Sequence, residues 1–304
     1  MFMSVKQIVT IVLFGLSLTS VSGQINRALF VAIDTYPEES GWNDIHATND
    51  RKIVLHMLNN SGFEDTNIIC LLNEQATKKA IVKALTNILN QSKAGDYIYI
   101  QFSCHGQLMA DDNGDEPDGY DESLIPYDAR RRYTKGVYEG KNHLRDDELG
   151  LFLDKIRAKV GDRGNICVVL DACHSATANR DTDDDTYVRG TTYIFAPDKY
   201  VASHGADKNK LKSDAFLAPI TVWSACGVDQ SNYEYRDHKT GEYFGTLTLA
   251  ICEVVKNSKK EKITIKTFDE RVKKQVEALF KGRRYRQTPY METTNENKIF
   301  KLGR

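Results

Sequence analysis

The sequence lacks several features that would point to particular classes of protein. Its 304 residues carry a formal net charge of −1, so the basic excess typical of nucleic-acid-binding proteins is absent. No long apolar run follows the N-terminal segment, and therefore no internal membrane span is predicted. There is no internal repeat, and no cysteine spacing typical of a zinc site. These absences exclude nucleic acid and, for the mature chain, membrane as predicted partners.

The first residues follow the pattern of a targeting signal. Lys6 precedes an apolar run over residues 8–18, and small and polar residues follow up to Gly23. This order of charge, apolar run and small residues is typical of a cleavable secretory signal peptide. We therefore expect residues 1–23 to be removed, residues 24–304 to form the mature domain, and the protein to be exported to the periplasm or the exterior. An uncleaved anchor is the alternative.

An exported protein can form disulfides, so the six cysteines need an interpretation of their own. Most of them lie inside apolar strand or helix patterns, where a free cysteine behaves as a small hydrophobic residue. We expect mostly buried thiols together with one reactive thiol. The cysteines are Cys70, Cys104, Cys167, Cys173, Cys226 and Cys252.

Alternating strand and helix patterns predict an α/β fold with a mostly parallel sheet covered on both faces. Residues 180–213 have little periodicity and many charges, and they read as an exposed loop. The predicted strands are 27–33, 66–72, 96–104, 166–170 and 220–224, with a short strand at 298–302. The predicted helices are 47–59, 77–89, 145–159, 244–255 and 265–280.

Two of the predicted strands end in residues that can carry chemistry. The strand at 166–170 is followed by Asp171 and Cys173, and the strand at 96–104 is followed by His105. Ligands of open α/β sheets bind at the carboxyl ends of the strands, so these side chains are expected to meet. A cysteine thiol becomes a nucleophile when a base lies within about 3 Å of it. The pattern therefore predicts a catalytic dyad of Cys173 and His105.

Two other residues near the dyad are candidates for the base and the nucleophile. His174 is an alternative base, but a residue adjacent to the cysteine cannot easily fold back onto it, which favours His105. Cys104 is an alternative nucleophile. Its alternation with Phe102 along the strand favours a buried structural thiol instead.

These motifs, with the acidic segment at 111–128 between them, resemble those of the metacaspases, a family of caspase-like cysteine peptidases. The resemblance covers about residues 27–248. It implies a caspase-like three-layer α/β/α sandwich and an endopeptidase activity. It also implies a larger part over about 24–180, a loop over about 180–213 and a smaller part over about 214–304.

The same resemblance implies how substrate would be bound. Backbone N–H groups of Gly106 and Cys173 would form the oxyanion hole. Asp50, Asp171 and Ser103 would line an acidic pocket for a substrate Arg or Lys before the cleaved bond. As the first acid of a helix, Asp50 could instead only stabilise that helix N-terminus. No basic residue near the motifs suggests the pocket that cleavage after Asp would require.

Calcium is the one ion that the resemblance suggests, although the predicted chemistry requires no cofactor. Its ligands would include Asp121, Asp146 and Asp147, which are oxygen donors of the kind calcium prefers. Asp146 and Asp147 also fit the start of a helix. Arg180 stands at the distance from Cys173 where the family has a further ligand, with Asp181 next to it, so the pattern departs from the family there. The carboxylates at 115–118 are interpreted as a solvated loop.

Several features leave alternatives open. Self-cleavage after a basic residue is implied for the loop, and Asp229 is expected to add acidity to the cleft. A catalytically silent binding module, a calcium-binding surface protein and an Arg-specific peptidase resembling clostripain or gingipains are rival interpretations. We expect a monomer that acts on protein or peptide substrates. The candidate cleavage residues are Arg180, Arg189, Lys199, Lys208, Lys210 and Lys212.

Overall fold

A six-stranded sheet forms the centre of the computed structural model, which describes residues 23–173, 186–203, 211, 214–227 and 230–303. The strand order is β11-β8-β7-β3-β1-β2, and only β11 runs antiparallel to its neighbour. The strands are β1 (Asn26–Ala32), β2 (Ile68–Leu72), β3 (Tyr97–Ser103), β7 (Asn165–Asp171), β8 (Ile220–Ser224) and β11 (Tyr290–Thr293).

Helices cover both faces of this sheet, because residues along each central strand alternate between two apolar cores. In β1, Ala28 and Phe30 contribute to one core and Leu29 and Val31 to the other. The first core also contains side chains of α1 (Asp50–Asn59), α4 (Thr246–Ser258) and α5 (Ile265–Leu279). The second contains side chains of α2 (Lys78–Gln91) and α3 (Asp146–Val160). The predicted three-layer α/β/α sandwich is therefore confirmed.

Two small sheets lie outside the central one, and neither was predicted. The first consists of β4 (Gly106–Ala110), β5 (Tyr120–Leu124) and β6 (Leu144–Arg145). The second is a hairpin of β9 (Glu234–Arg236) and β10 (Tyr243–Gly245). These strands contain two to five residues each, which is too short for an alternating pattern to stand out in the sequence.

The strand predicted at 298–302 is wrong. That stretch makes only an isolated bridge, between Thr264 and Ile299, while the edge strand β11 comes earlier in the chain. None of the residues of β11 is fully buried, so an apolar signal is weak there. Pairing with β8 defines the strand instead.

The prediction of an exposed loop over 180–213 is also wrong for part of the segment. Arg189 has an exposed fraction of 0% and Phe195 of 2%. Phe195 packs against Met109 and Tyr138, and its backbone bonds to residues of β4. Long-range contacts therefore order a segment in which the sequence has no periodicity. Among the described residues, no helix is both long and apolar enough to cross a membrane.

Candidate active site

Strand register brings the two predicted catalytic residues to the same edge of the sheet. Strands β3 and β7 are parallel neighbours, and Ser103 is paired with Asp171 at their carboxyl ends. His105 and Cys173 each follow two residues later, so both side chains leave the sheet at this edge. They are buried, with exposed fractions of 2% and 1%. His174 lies outside the described residues.

The hydrogen bonds of His105 define which nitrogen carries its proton. The imidazole Nε2 lies 2.8 Å from the carbonyl oxygen of Asn43, and because a carbonyl can only accept, Nε2 must be the donor. Nδ1 then presents a lone pair. It is buried and has no hydrogen-bond partner among the described residues. Burial lowers the pKa of His105 to about 4, so the ring is neutral at physiological pH and can accept a proton.

The aromatic rings around His105 fix the imidazole in place. Trp42 stacks on it with ring centroids 4.8 Å apart, and Tyr36 lies at 5.4 Å. The Tyr36 hydroxyl also accepts a hydrogen bond from the backbone N–H of His105. Nothing in the sequence pattern indicated these two neighbours, because they come from the loop after β1 and reach the site only through tertiary packing.

The thiol of Cys173 lies in a different hydrogen-bonding environment. Its Sγ donates to the carbonyl oxygen of Gln230 at 3.0 Å and lies 3.4 Å from Sγ of Cys226. A thiol that donates to a carbonyl is protonated, and neither ring nitrogen of His105 bonds to it in this arrangement. The hydrogen bond with Cys173 and burial both raise the pKa of Cys226, so its thiol is protonated at neutral pH.

All six cysteines are free thiols, and three of them are buried. Cys104 is one of the buried three, with an exposed fraction of 1%, as expected for a structural residue. Burial raises its pKa to about 12, so its thiolate is unavailable at neutral pH.

The guanidinium of Arg189 occupies a pocket lined by carboxylates. It lies 2.7 Å from Asp50 Oδ2, 3.0 Å from Glu234 Oε1 and 3.5 Å from Asp171 Oδ1. All four side chains have an exposed fraction of 0%. Asp50 and Asp171, both predicted from the sequence, are thus brought together around a basic side chain. Glu234 was not predicted.

Electrostatics within the pocket are dominated by burial and by this one cation. Burial raises the pKa of Asp50 to about 6, even though Arg189 acts in the opposite direction. Burial acts to raise the pKa of Glu234 as well, but Arg189 and His46 outweigh it and the pKa lies below its usual value. For Arg189 burial lowers the pKa, and the surrounding carboxylates raise it well above its ordinary range.

Other residues hold the pocket in shape. Asp171 accepts hydrogen bonds from Asn232 Nδ2 at 2.7 Å and from the backbone N–H of Thr248 at 2.9 Å. Gly245 donates its N–H to Asp50 and leaves the space that the guanidinium fills. A Cβ atom on Gly245 would lie 2.2 Å from Asp171 Oδ2 and 2.4 Å from Arg189 Nη1. The sequence predicted a helix over 244–255, whereas Gly245 ends β10 and lies just before α4.

Ser103 lies below the pocket floor. Its hydroxyl accepts a hydrogen bond from Gln101, which also donates to Thr248. Among the described residues it makes no hydrogen bond to Arg189. This predicted pocket residue is thus linked to the guanidinium indirectly, through its pairing with Asp171 and through Gln101 and Thr248, which donates to Asp171.

The backbone of residues 187–189 runs beside the pocket in an extended conformation. Cys173 donates its N–H to the carbonyl oxygen of Arg189 at 2.8 Å, and Arg189 donates its own N–H to Asn232 at 2.9 Å. Val188 forms an antiparallel bridge with Tyr233, and Glu234 donates to the carbonyl of Tyr187. A carbonyl oxygen that accepts a hydrogen bond from the N–H of a cysteine, next to the thiol, has the geometry expected in an oxyanion hole.

Of the two oxyanion donors predicted, only Cys173 contacts this carbonyl. Gly106 is the first residue of β4 and is paired with Leu124, and it makes no hydrogen bond to Arg189. Asp229, which was expected to add acidity here, lies outside the described residues. Glu234, five positions later, contributes that acidity. The sequence alone does not indicate Glu234, because its position depends on the packing of the hairpin of β9 and β10 against the cleft.

The acidic segment forms a second carboxylate cluster, where β4 ends and β5 begins. Single oxygens of Asp111, Asp115 and Asp121 lie within 4.8 Å of one another. The predicted ligands Asp146 and Asp147 open α3, as the alternative interpretation expected. Asp147 is influenced by the charge of Asp115, whereas the carboxylates that act on Asp146 are Glu122, Asp147 and Glu116. Asp115 therefore belongs to the cluster, and its interpretation as part of a solvated loop needs correction. Arg180 and Asp181 lie outside the described residues.

Charge in this second cluster is only partly neutralised. Arg145 forms an ion pair with Asp121, whose side chain is fully buried. Burial raises the pKa of Asp146 to about 8, and the neighbouring Glu122 and Asp147 add to the effect. One Asp146 oxygen is buried without a hydrogen-bond partner. The carboxylates here differ from one another, because burial acts to raise the pKa of Asp111 as well, but backbone N–H groups outweigh it and that pKa lies below its usual value. Carboxylate oxygens are ligands of the kind that calcium prefers.

Comparison with known proteins identifies the class to which this site belongs. The profile of the Caspase domain family matches residues 25–300, so the chain belongs to that family. Among curated proteins, Metacaspase-2 of Arabidopsis thaliana is 34% identical over 202 residues, which cover 64% of this chain and 43% of that protein. Metacaspase-1 of Plasmodium falciparum is 26% identical over 243 residues, which cover 76% of this chain and 34% of that protein.

The predicted resemblance to metacaspases is thereby confirmed, and the alignments cover less than half of the length of these relatives. A crystal structure of a Geobacter sulfurreducens protein superposes with a TM-score of 0.59 at 21% identity, covering 88% of this chain and 93% of that one. At this identity the likeness shows the fold alone.

Proposed function

We propose that this protein is a cysteine endopeptidase that cleaves peptide bonds after arginine, and more slowly after lysine. The observation that carries the proposal is the position of Arg189. Its side chain lies among three carboxylates while its carbonyl accepts from the N–H of Cys173. A basic residue held in this way presents the following peptide bond to the thiol. Arginine is favoured over lysine because its planar guanidinium reaches several carboxylates at once.

The mechanism uses the chain's own groups. Nδ1 of neutral His105 takes the proton of the Cys173 thiol, once the thiol leaves Gln230, and the thiolate attacks the carbonyl carbon. The oxyanion that forms is stabilised by the N–H of Cys173. The imidazolium then gives its proton to the leaving amine, which leaves a thioester on Cys173. Water, deprotonated by His105, hydrolyses the thioester and restores the thiol.

The same geometry supports Arg189 as the site of self-processing; of the six basic residues of the loop only Arg189 and Lys199 are described, and Arg180, Lys208, Lys210 and Lys212 lie outside the described residues. The next residue is Gly190, and a Cβ atom there would lie 2.5 Å from the carbonyl oxygen of Cys173 and 3.0 Å from its Cβ. A glycine thus lets the bond between residues 189 and 190 approach the nucleophile closely. Until that bond is cut, the pocket is filled by the chain itself, so the uncut protein is a zymogen.

We further propose that the second cluster binds calcium. Asp121, Asp146 and Asp147 would hold the ion together with Asp111 and Asp115. In support, oxygens of Asp111, Asp115 and Asp121 converge, the charge of Asp115 acts on Asp147, and burial and nearby carboxylates raise the pKa of Asp146. When bound, calcium would neutralise the cluster and fix the segment between β4 and β5. Because β4 begins directly after His105, ordering this segment would stimulate the peptidase.

We also propose that the protein is exported and that it is a monomer. Export is supported by the targeting pattern before Gln24, of which residues 1–22 lie outside the described ones. N-terminal sequencing of the mature protein would check it, with Gln24 expected as the first residue. Light scattering of the purified protein would check the monomer.

The experiment uses the chain from Gln24, with and without millimolar calcium, and fluorogenic peptides ending in Arg, Lys or Asp. We expect hydrolysis after Arg and Lys, and fragments ending at Arg189 in the intact mass spectrum. Cys173→Ala should lower hydrolysis by a factor of about 10³ or more. Cys70→Ala, which removes a thiol of β2, is the matched control and should retain activity. Hydrolysis after Asp alone would contradict the acidic-pocket argument, and equal activity in Cys173→Ala would contradict the assigned nucleophile.

A further inference from the structure

The side chain of Tyr187 has a subsite of its own, two residues before Arg189. Its ring meets that of His46 edge-on with centroids 4.3 Å apart, and that of Tyr243 edge-on at 5.0 Å. His46 and Tyr243 are themselves stacked, with centroids 4.6 Å apart and an interplanar angle of 19°. Three rings at these distances and angles follow the preferred geometry of aromatic contacts.

The extended backbone explains why this subsite lies on the same side as the acidic pocket. Side chains of an extended strand alternate, so those of Tyr187 and Arg189 point one way and that of Val188 points the other. Val188 packs against the first apolar core. Hydrogen bonds at both ends fix the register, because Asn232 accepts from Arg189 and Glu234 donates to Tyr187. The residue in the third position before the cut must therefore meet the two rings.

The two rings are also held in place independently of Tyr187. The backbone N–H and Nδ1 of His46 lie 2.9 and 2.8 Å from the carboxylate of Glu234, the same carboxylate that receives Arg189. Asn49 donates to the backbone carbonyl of Tyr243, and the guanidinium of Arg236 lies 5.7 Å from the centroid of the Tyr243 ring. The subsite is thus built from residues that also shape the acidic pocket, and it would remain after residues 187–189 leave.

We propose that His46 and Tyr243 form a specificity subsite that selects substrates with an aromatic residue two positions before the cleaved arginine. The inference rests on the proposed function, since it names the substrate class of the same cleft. Edge-to-face aromatic pairs contribute about 0.5–1.5 kcal/mol beyond burial, and two such pairs correspond to a preference of roughly tenfold or more over alanine.

The test compares fluorogenic peptides acetylated at the N-terminus with the sequences Tyr-Val-Arg, Phe-Val-Arg, Leu-Val-Arg and Ala-Val-Arg. With the processed protein we expect kcat/KM to be roughly tenfold higher for Tyr and Phe than for Ala. Tyr243→Ala should reduce this ratio to below about threefold. Tyr290→Ala, an exposed tyrosine on β11, is the matched control and should leave the ratio unchanged. Because the ratio is taken within each variant, a loss of folded protein does not alter it.

A binding measurement separates this inference from the proposed chemistry. The triple variant Cys173→Ala, Tyr187→Ala, Arg189→Ala cannot cleave, and it has neither an arginine of its own in the pocket nor a tyrosine of its own in the subsite. Titration calorimetry should then show Tyr-Val-Arg binding roughly tenfold more tightly than Ala-Val-Arg. Equal affinities of the two peptides would overturn the aromatic subsite. Equal kcat/KM for all four peptides, with arginine still required before the cut, would do the same. Neither result would contradict the proposed peptidase activity. Selective binding without any hydrolysis by the wild-type chain would retain the subsite and contradict the proposed function.

Discussion

The molecule contains two carboxylate clusters, and they differ in how their charge is neutralised. Around Arg189, three carboxylates share a guanidinium that is fully buried with them. Around Asp121, the nearest cation is Arg145, whose side chain is 22% exposed and also faces Asp112. In the first cluster only Nη2 of Arg189 lacks a hydrogen-bond partner among the described residues, whereas around the second, buried oxygens of Asp115, Asp121 and Asp146 lack one. This difference is the reason for proposing a pocket for basic residues at the first cluster and an ion site at the second.

The largest expected effect comes from removing the cation of the first cluster. In a Cys173→Ala background, Arg189→Ala leaves three buried carboxylates uncompensated, and we expect the free energy of unfolding to fall by about 3–5 kcal/mol. In the active chain the same change should abolish the cut at residue 189. Urea denaturation and intact mass spectrometry measure the two effects.

Arg145→Ala is the matched change in the second cluster. Because Arg145 is partly exposed and its cluster is open to other cations, we expect a loss of only about 1 kcal/mol. Equal losses in the two variants would show that the clusters do not differ in the way described.

A somewhat smaller effect, on catalysis, is expected when a methyl group fills the space that the arginine guanidinium occupies in the pocket. Gly245→Ala places a methyl group within 2.4 Å of Asp171 Oδ2 and Arg189 Nη1, so arginine cannot enter without displacing the carboxylate. We expect kcat/KM for Arg peptides to fall by about 100-fold, which corresponds to about 2.7 kcal/mol. Gly150→Ala, at an open helical position in α3, is the control and should retain full activity. Unchanged hydrolysis by Gly245→Ala would mean that substrate arginine binds elsewhere.

The effect of calcium on stability tests the second cluster. At a concentration of 100 times its Kd the ion should stabilise the protein by about 2.7 kcal/mol, seen as a rise in Tm. The double change Asp121→Asn, Asp146→Asn should remove the rise, while Asp50→Asn, in the first cluster, should leave it in place. A Tm that does not respond to calcium, in the wild-type chain, would contradict the calcium site.

The last expected effect is a pH dependence of stability in the presence of chelator, and its size depends on the pH at which it is measured. The pKa of Asp146 is raised to about 8 in the folded protein, above the value near 4 of the unfolded chain. The folded state therefore holds a proton that the unfolded state releases, and stability declines as the pH rises from about 4 to 8. Asp146→Asn should flatten this slope in urea denaturation curves, and added calcium should flatten or reverse it. An identical slope in the variant would assign the dependence to another group.

Much of the site followed from residues that stand at strand ends. Cys173, His105 and Asp171 were found because an apolar strand ends and polar residues begin, and parallel pairing then places them at one edge of the sheet. Asp50 was predicted from the resemblance to metacaspases. Glu234, Gly245 and the two rings of the further subsite were missed as functional residues. They lie on short strands or loops, where local patterns are weak and position depends on distant partners.

The sequence by itself determined the α/β layering, the two catalytic strand ends and the presence of an acidic segment, because periodicity and strand-end polarity are local properties. Only the tertiary structure decided what fills the acidic pocket. The loop after Cys173 has six basic residues with no local signal to distinguish them, and Arg189 alone has its carbonyl on Cys173 N–H and its charge among Asp50, Asp171 and Glu234 within the described chain. That choice depends on contacts between residues up to 139 positions apart, which no local pattern records.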